Sequence, residues 1–394
     1  MKKILVLIFS FSALILTSCR IANQNDAFYS IRIGVILPLS GEFAAQGRAA
    51  LDGMELAVRS VNRNGGVDLR KIQLIIKNSS GSPEKAAALA GSMIENDNVV
   101  ALVGAYSSAE AAEIKLVAEA KGVPFVSAMA TSGSLIENAE YTFQSTLNDE
   151  IQGAALAYYI AYKRKFYNVA VMINTDKDAV YQRGVAQKTA QAWADFAKRK
   201  PLVMSYSSKQ KTFESQIKKC IYDDINVIVL PAYPATAVRF ILEARKLGYK
   251  GAFAGTDSYD SPLLTGSKEA LGDCFFSTSY CISDASEANK IFKSRMQQEL
   301  KREPGCAEAM GYDCINFLAK ALKNAYSPDD IAFNLRNIRS FYSVSGIMEY
   351  HKQKEFLLHP VFIMDIAGMN IKPSFRWKVD SEQLKNYRKR EELK

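Results

Sequence analysis

Histidine is nearly missing from this chain. His351 and His359 are the only two in 394 residues, and neither lies near the serines that follow the apolar runs, so the imidazole that a Ser-His pair requires has no obvious source. Gly-x-Ser-x-Gly, Gly-x-x-x-x-Gly-Lys-[Ser/Thr] and Gly-x-Gly-x-x-Gly are all absent, which removes the usual signatures of serine hydrolysis, phosphate cradling and dinucleotide binding. No catalytic residue and no cofactor are assigned. The six cysteines include no Cys-x-x-Cys and stand far in sequence from both histidines, so no metal site is expected. Basic residues exceed acidic ones, for a net charge of +9, but they are not interleaved with aromatics on one stretch, and nucleic acid is not an expected partner.

Long apolar runs are also lacking. Ile4 to Leu16 is the longest, and at about 13 residues it falls short of the about 20 that span a bilayer as a helix. Preceded by Lys2 and Lys3, it has the form of an export signal covering residues 1–19. Leu16-Thr17-Ser18-Cys19 resembles a lipobox, which makes Cys19 the expected lipid attachment point; an ordinary signal peptide cut near Ser18 is the other reading. Residues 20–30 are polar and suit a tether. Removing Lys2 and Lys3 with the signal lowers the charge from +9 to +7. Cys220, Cys274, Cys281, Cys306 and Cys314 then remain, an odd number, so at least one thiol stays free, while an oxidising compartment would permit one disulfide whose partners spacing does not give.

What the chain does have is a repeated alternation of strands and helices. Val99 to Val103 is an uninterrupted apolar run ending at Gly104, and Ser107 and Ser108 precede a helical pattern carried by Ala111, Ala112, Leu116 and Ala120. This reads as a strand buried on both faces, a tight turn and a helix start, with one serine as the N-cap. Oriented N–H groups and hydroxyls at the carboxyl end of such a strand suit a carboxylate. Ile31 to Leu37, Ile72 to Ile76 and Val123 to Ser127 are further strands, with helices over Leu51 to Val61 and after Ser82-Pro83-Glu84. The alternation restarts near Asn148 and runs to Leu247, predicting two doubly wound α/β lobes in series with parallel sheets. From Arg376 to Lys394 the chain is a charged tail.

Taken in order, Ile33-Gly34-Val35-Ile36-Leu37-Pro38-Leu39-Ser40-Gly41, Gly65-Gly66, Ser82-Pro83-Glu84-Lys85-Ala86, Val103-Gly104 with Ser107-Ser108, Pro124-Phe125-Val126-Ser127 with Thr131, Gly311-Tyr312-Asp313 and Gly346 resemble the type I periplasmic binding proteins of the branched-chain amino-acid class. The resemblance covers about Ile31 to Ile371. It implies a clamshell of two lobes joined by a three-crossover hinge, with residues 31–148 and 281–343 in one lobe and 149–280 and 344–375 in the other. It further implies a monomeric, lipid-anchored extracytoplasmic receptor that hands an amino acid to an ABC permease. A sensor, or a receptor for amides, urea or aromatic acids, is the alternative of the same fold.

The resemblance also implies a site. Ser108, with the Ser107 backbone beside it, falls where the family binds the ligand carboxylate, and Met129 and Thr131 fall in the loop that meets its carboxylate and ammonium. Tyr181 and Tyr233 fall on cleft loops of the second lobe, and Asp257 where an acid pairs with the α-ammonium. Gln46 stands where amino-acid binders often carry an aromatic residue. Local readings compete: Thr131 also suits a cap of Ser132-Gly133-Ser134, and Asp257 opens a stretch rich in turn formers.

Overall fold

The computed structural model describes residues 30–266, 271–350, 357–367 and 370–377; the signal segment with Cys19, most of the tether, His351 and the tail beyond Trp377 lie outside them. The first sheet holds β1 (Ile31–Leu37), β2 (Ile72–Asn78), β3 (Ala101–Gly104), β4 (Phe125–Ser127) and β5 (Thr142–Gln144) in the order β2-β1-β3-β4-β5, with every pair parallel. Strand period two splits its side chains between two cores. Ile33, Val35 and Leu37 face the helices Ala44–Arg63, Cys306–Leu322 and Pro328–Asn337. Ile36 and Leu102 face the helices Pro83–Asn96 and Ser108–Lys121 on the other side.

The second sheet repeats the plan. β6 (Val169–Asn174), β7 (Leu202–Tyr206), β8 (Val227–Val229), β9 (Ala252–Gly255) and β10 (Cys274–Thr278) pair in parallel, and β14 (Val361–Ala367) and β15 (Asn370–Trp377) extend the edge antiparallel, in the order β15-β14-β10-β9-β8-β6-β7. Val169, Val171, Val227 and Val229 pack under the helices Asp149–Tyr158 and Val180–Ala197. Ala170, Met172, Ile228 and Phe253 pack over Glu214–Tyr222 and Pro234–Lys246. Each lobe is thus a parallel sheet between two helical layers, as the sequence predicts.

Two expectations are corrected. The crossover placed between 343 and 344 falls inside a hairpin of β11 (Ser340–Ser343) and β12 (Gly346–Tyr350). Met348 packs in the first lobe's core, whereas Leu358, of the short strand β13 (Leu357–Leu358), packs with the second lobe, so β12 still belongs to the first lobe. The permitted disulfide is not formed: Cys220, Cys274, Cys281, Cys306 and Cys314 are all free, four of them buried.

Buried acids make stability depend on pH. Burial pushes the carboxyls of Asp149 and Asp313 up to about 8, and Asp313 accepts the Val344 N–H at 3.1 Å. The folded state therefore keeps protons that the unfolded chain, with carboxyls near 3.8, has released, so stability falls as pH rises toward 8. His359, pulled down to about 4 by burial, opposes this only below its unfolded value of 6.5. Thermal unfolding is expected to show a lower Tm at pH 8 than at pH 6.5, with each acid contributing at most about 1.4 kcal/mol per pH unit; a Tm that rises across this window would show that the two acids are not held protonated.

Candidate ligand-binding cleft

The carboxyl end of β3 is shaped by backbone that few residues adopt. Gly104 has φ +136, and a Cβ there would meet the Ile36 carbonyl oxygen at 2.1 Å; Ala105 follows at φ 36. The turn delivers Ser107 as the N-cap of the helix Ser108–Lys121, in a reciprocal capping box with Glu110. Ser107 Oγ accepts the Glu110 N–H at 3.2 Å and donates to the Glu110 carboxylate at 2.9 Å. Its hydroxyl is fully used, and Ser107 is not among the residues lining the cavity described below. Ser107→Ala is expected to cost about 1 kcal/mol of stability through the lost cap and to leave ligand affinity unchanged, as denaturation and titration calorimetry would report.

Ser108, one residue on, behaves differently. Its Oγ accepts the Ser132 N–H at 3.3 Å, which leaves the hydroxyl hydrogen to donate elsewhere. The facing loop is pinned from below: Gln144 Nε2 donates to the Ala130 and Ser132 carbonyls at 3.1 and 2.9 Å, and Ser127 Oγ to Ala130 at 3.1 Å. Thr131 is buried and its carbonyl accepts the Asp149 N–H at 2.9 Å. The short helix Gly133–Leu135 has Ser132 as its N-cap with no side-chain cap bond, so Thr131 has no capping duty.

Across the cleft, Asp257 opens the one-turn helix Asp257–Tyr259 after β9. Its Oδ1 accepts Gln152 Nε2 at 2.8 Å and Tyr181 Oη at 2.9 Å. Burial pushes its carboxyl up, against these hydrogen bonds. Tyr181 belongs to the first turn of the helix Val180–Ala197 and Tyr233 is the N-cap of Pro234–Lys246, so both stand at helix starts rather than in the interior of loops. An aromatic arc crosses between the lobes: Phe43 to Tyr233 at 4.7 Å, Phe43 to Tyr106 at 4.9 Å and Tyr181 to Tyr233 at 5.8 Å between centroids.

These groups line a small cavity of about 40 Å³ between the lobes. Ser108, Met129 and Thr131 line it from the first lobe, and Tyr181, Tyr233 and Asp257 from the second. Gln46 lines it too, from the first turn of the helix Ala44–Arg63. The sequence reading passed over Tyr106, Thr146, Asp260, Ser279, Cys306 and Met310, which complete the wall. Only Tyr106 carried a local signal, as the one aromatic residue in the turn that precedes Ser107 and Ser108.

The model of one protein family, described as periplasmic binding protein, matches residues 30–370. The chain belongs to the periplasmic binding protein family. A Leu/Ile/Val-binding protein homolog of Brucella suis is 24% identical over 378 residues, covering 93% of this chain and 95% of that protein. Among solved structures, the branched-chain amino acid transporter substrate-binding protein LivJ of Streptococcus pneumoniae, in complex with isoleucine, superposes with a TM-score of 0.80 at 23% identity, covering 89% of this chain and all of that one (100%). A solute-binding protein of an ABC transporter from Rhodopseudomonas palustris, in complex with 3,4-dihydroxybenzoic acid, superposes at 0.77 with 16% identity, covering 90% and 99%. The type I periplasmic binding protein clamshell is therefore this chain's fold. Among the described residues no helix is long and apolar enough to cross a membrane.

Proposed function

We propose that this periplasmic binding protein is an extracytoplasmic receptor that captures an α-amino acid between its lobes and presents it to an ABC permease. One observation carries the reading: the cavity has hydroxyl donors at a helix start on one lobe and a carboxylate, Asp257, on the other. A zwitterion satisfies both ends at once, and a buried charge needs such a partner. In this reading Ser108 and Thr131 donate to the ligand carboxylate, Asp257 and the Met129 carbonyl accept from the ammonium, and Tyr181, Tyr233 and Gln46 close over the rest. Because the contacts come from both lobes, ligand stabilises the closed form, which is the form the permease recognises. The lobes are taken as 31–148 with 281–350, and 149–280 with 357–377, a division supported by the two separate parallel-strand sheets.

The aromatic arc favours a second reading, an aromatic acid as ligand, like the 3,4-dihydroxybenzoic acid bound in the Rhodopseudomonas structure. That reading gives Asp257 no partner. A thermal-shift panel separates the two, because a ligand that binds only the native state raises Tm. Amino acids are expected to raise it and their deaminated analogues and benzoates not; a shift from benzoates alone would transfer the assignment to aromatic acids. Residues 1–19 lie outside the described structure, and the attachment of lipid at Cys19 is proposed from the sequence. Cys19→Ser is expected to move the protein from the membrane fraction to the soluble one; retention in the membrane would remove Cys19 as the anchor.

A further inference from the structure

One part of the cavity wall is polar. Two of the three crossovers between the lobes meet there. Thr146, just after β5, donates to Met310 Sδ at 3.5 Å, and Ser279, just after β10, donates to the same sulfur at 3.2 Å and sits 3.4 Å from Cys306 Sγ. The two residues are 3% and 2% exposed. Each hydroxyl hydrogen thus has a weak thioether acceptor, and each oxygen keeps acceptor capacity, that of Ser279 within reach of the Cys306 thiol. Asp260, from the second lobe, joins this floor with its carboxylate against the Cys306 N–H. Burial pushes its carboxyl up to about 6, which leaves it ionised at neutral pH. Gln46 Oε1, on the roof, is buried without a partner.

Asp260, Thr146 and Ser279 together offer a carboxylate and two hydroxyl oxygens as acceptors on this part of the wall. Among the described residues no lysine, arginine or histidine lines the cavity, and the charged groups acting on Asp260 are Glu308 and Asp257, both acids. A neutral zwitterion pairs Asp257 and leaves Asp260 without a cation. A leucine side chain would bury these acceptors against methyl groups, which costs free energy for each one left unmade.

We propose that this floor receives a hydrogen-bond-donating cation, an ammonium or guanidinium, at the end of the ligand side chain, so that the site selects cationic α-amino acids over branched aliphatic ones. The proposal rests on the amino-acid reading given above and narrows it. Asp260 is the specificity-determining residue, and Thr146 and Ser279 supply the remaining acceptors around the cation.

Lysine and norleucine make the test, since they share the chain of methylenes and differ in the terminal ammonium. Titration calorimetry of the purified protein is expected to give lysine, ornithine or arginine a Kd at least about tenfold below that of norleucine. Asp260→Asn keeps an acceptor for the Cys306 N–H and removes the charge; it is expected to abolish the preference, so that lysine and norleucine bind alike. Leucine or norleucine binding as tightly as the cationic ligands overturns the proposal and leaves the amino-acid reading standing. Equal weakening of all ligands by Asp260→Asn also overturns it, because Asp260 would then serve only to hold the lobes together. Should no α-amino acid bind, the amino-acid reading falls and this inference with it. The wild-type comparison decides even if the variant does not fold.

Discussion

Asp257→Ala is expected to weaken the binding of an α-amino acid by about 2–5 kcal/mol, the range for a buried charge pair broken on one side. The size follows from what surrounds the acid. Gln152 is fully buried and Tyr181 nearly so, and both donate to Asp257 Oδ1, so the carboxylate is aimed before ligand arrives and pays little to be ordered. Among the described residues no salt bridge to Asp257 is formed within the protein, which leaves the ligand ammonium as its counter-charge. Removing the side chain strands that ammonium in the closed cleft and leaves two donors unmet. Calorimetry on the variant measures the loss, and an unchanged Kd would remove Asp257 from the site.

Gly311→Ala is expected to destabilise the first lobe by about 3 kcal/mol, the upper end of what overpacking costs. The helices Ala44–Arg63 and Cys306–Leu322 touch backbone to backbone at two glycines. A Cβ on Gly311 would lie 2.0 Å from the Ala50 carbonyl oxygen, and one on Gly53 would lie 2.0 Å from that of Glu308. Neither neighbour is a flexible side chain, so the helices must part. Cys306 and Met310 ride on the second of them and line the cavity, so ligand affinity is expected to fall as well. Gly91, in the helix Pro83–Asn96, has nothing within 4 Å of its position for a Cβ. Gly91→Ala therefore serves as the contrast, expected to stabilise by about 0.5–1 kcal/mol. Chemical denaturation reads both, and a neutral Gly311→Ala would show that the helices are not in backbone contact.

The fold was legible where local pattern and tertiary role agree. Ile31 to Leu37 alternates to serve two cores, and it is a strand over the same residues; Ser82 and Pro83 announce a helix start, and Ser82 accepts the Lys85 N–H there. The strand β3, the turn and a serine cap also follow from a few neighbouring residues. The central strand β9 was missed because Ala252–Gly255 is short and bounded by glycine, and β10 because Cys274–Thr278 has no flanking helical pattern strong enough to frame it. The helix Pro328–Asn337 had a readable start in Ser327, Pro328 and Asp330, a capping signal that the sequence reading did not use.

The cavity divides in the same way. Ser108, Thr131 and Asp257 sit at strand ends, where a family resemblance can be carried over residue by residue. Thr146, Asp260, Ser279 and Cys306 meet because two crossovers and a helix start converge, and no spacing in the sequence records that convergence. Cys306 also shows why cysteine counting gave no disulfide partner: it is placed against a serine, and burial pushes its thiol up to about 12.

The most direct measurement is a double cycle by titration calorimetry, pairing an α-amino acid and its deaminated analogue with the wild-type protein and with Asp257→Asn. If the cleft closes on a zwitterion through Asp257, removing the ammonium and neutralising the acid are strongly non-additive, with a coupling of about 1 kcal/mol or more. Additive losses, or equal affinity of the wild type for both ligands, would contradict the pairing of Asp257 with an α-ammonium, and with it the amino-acid receptor.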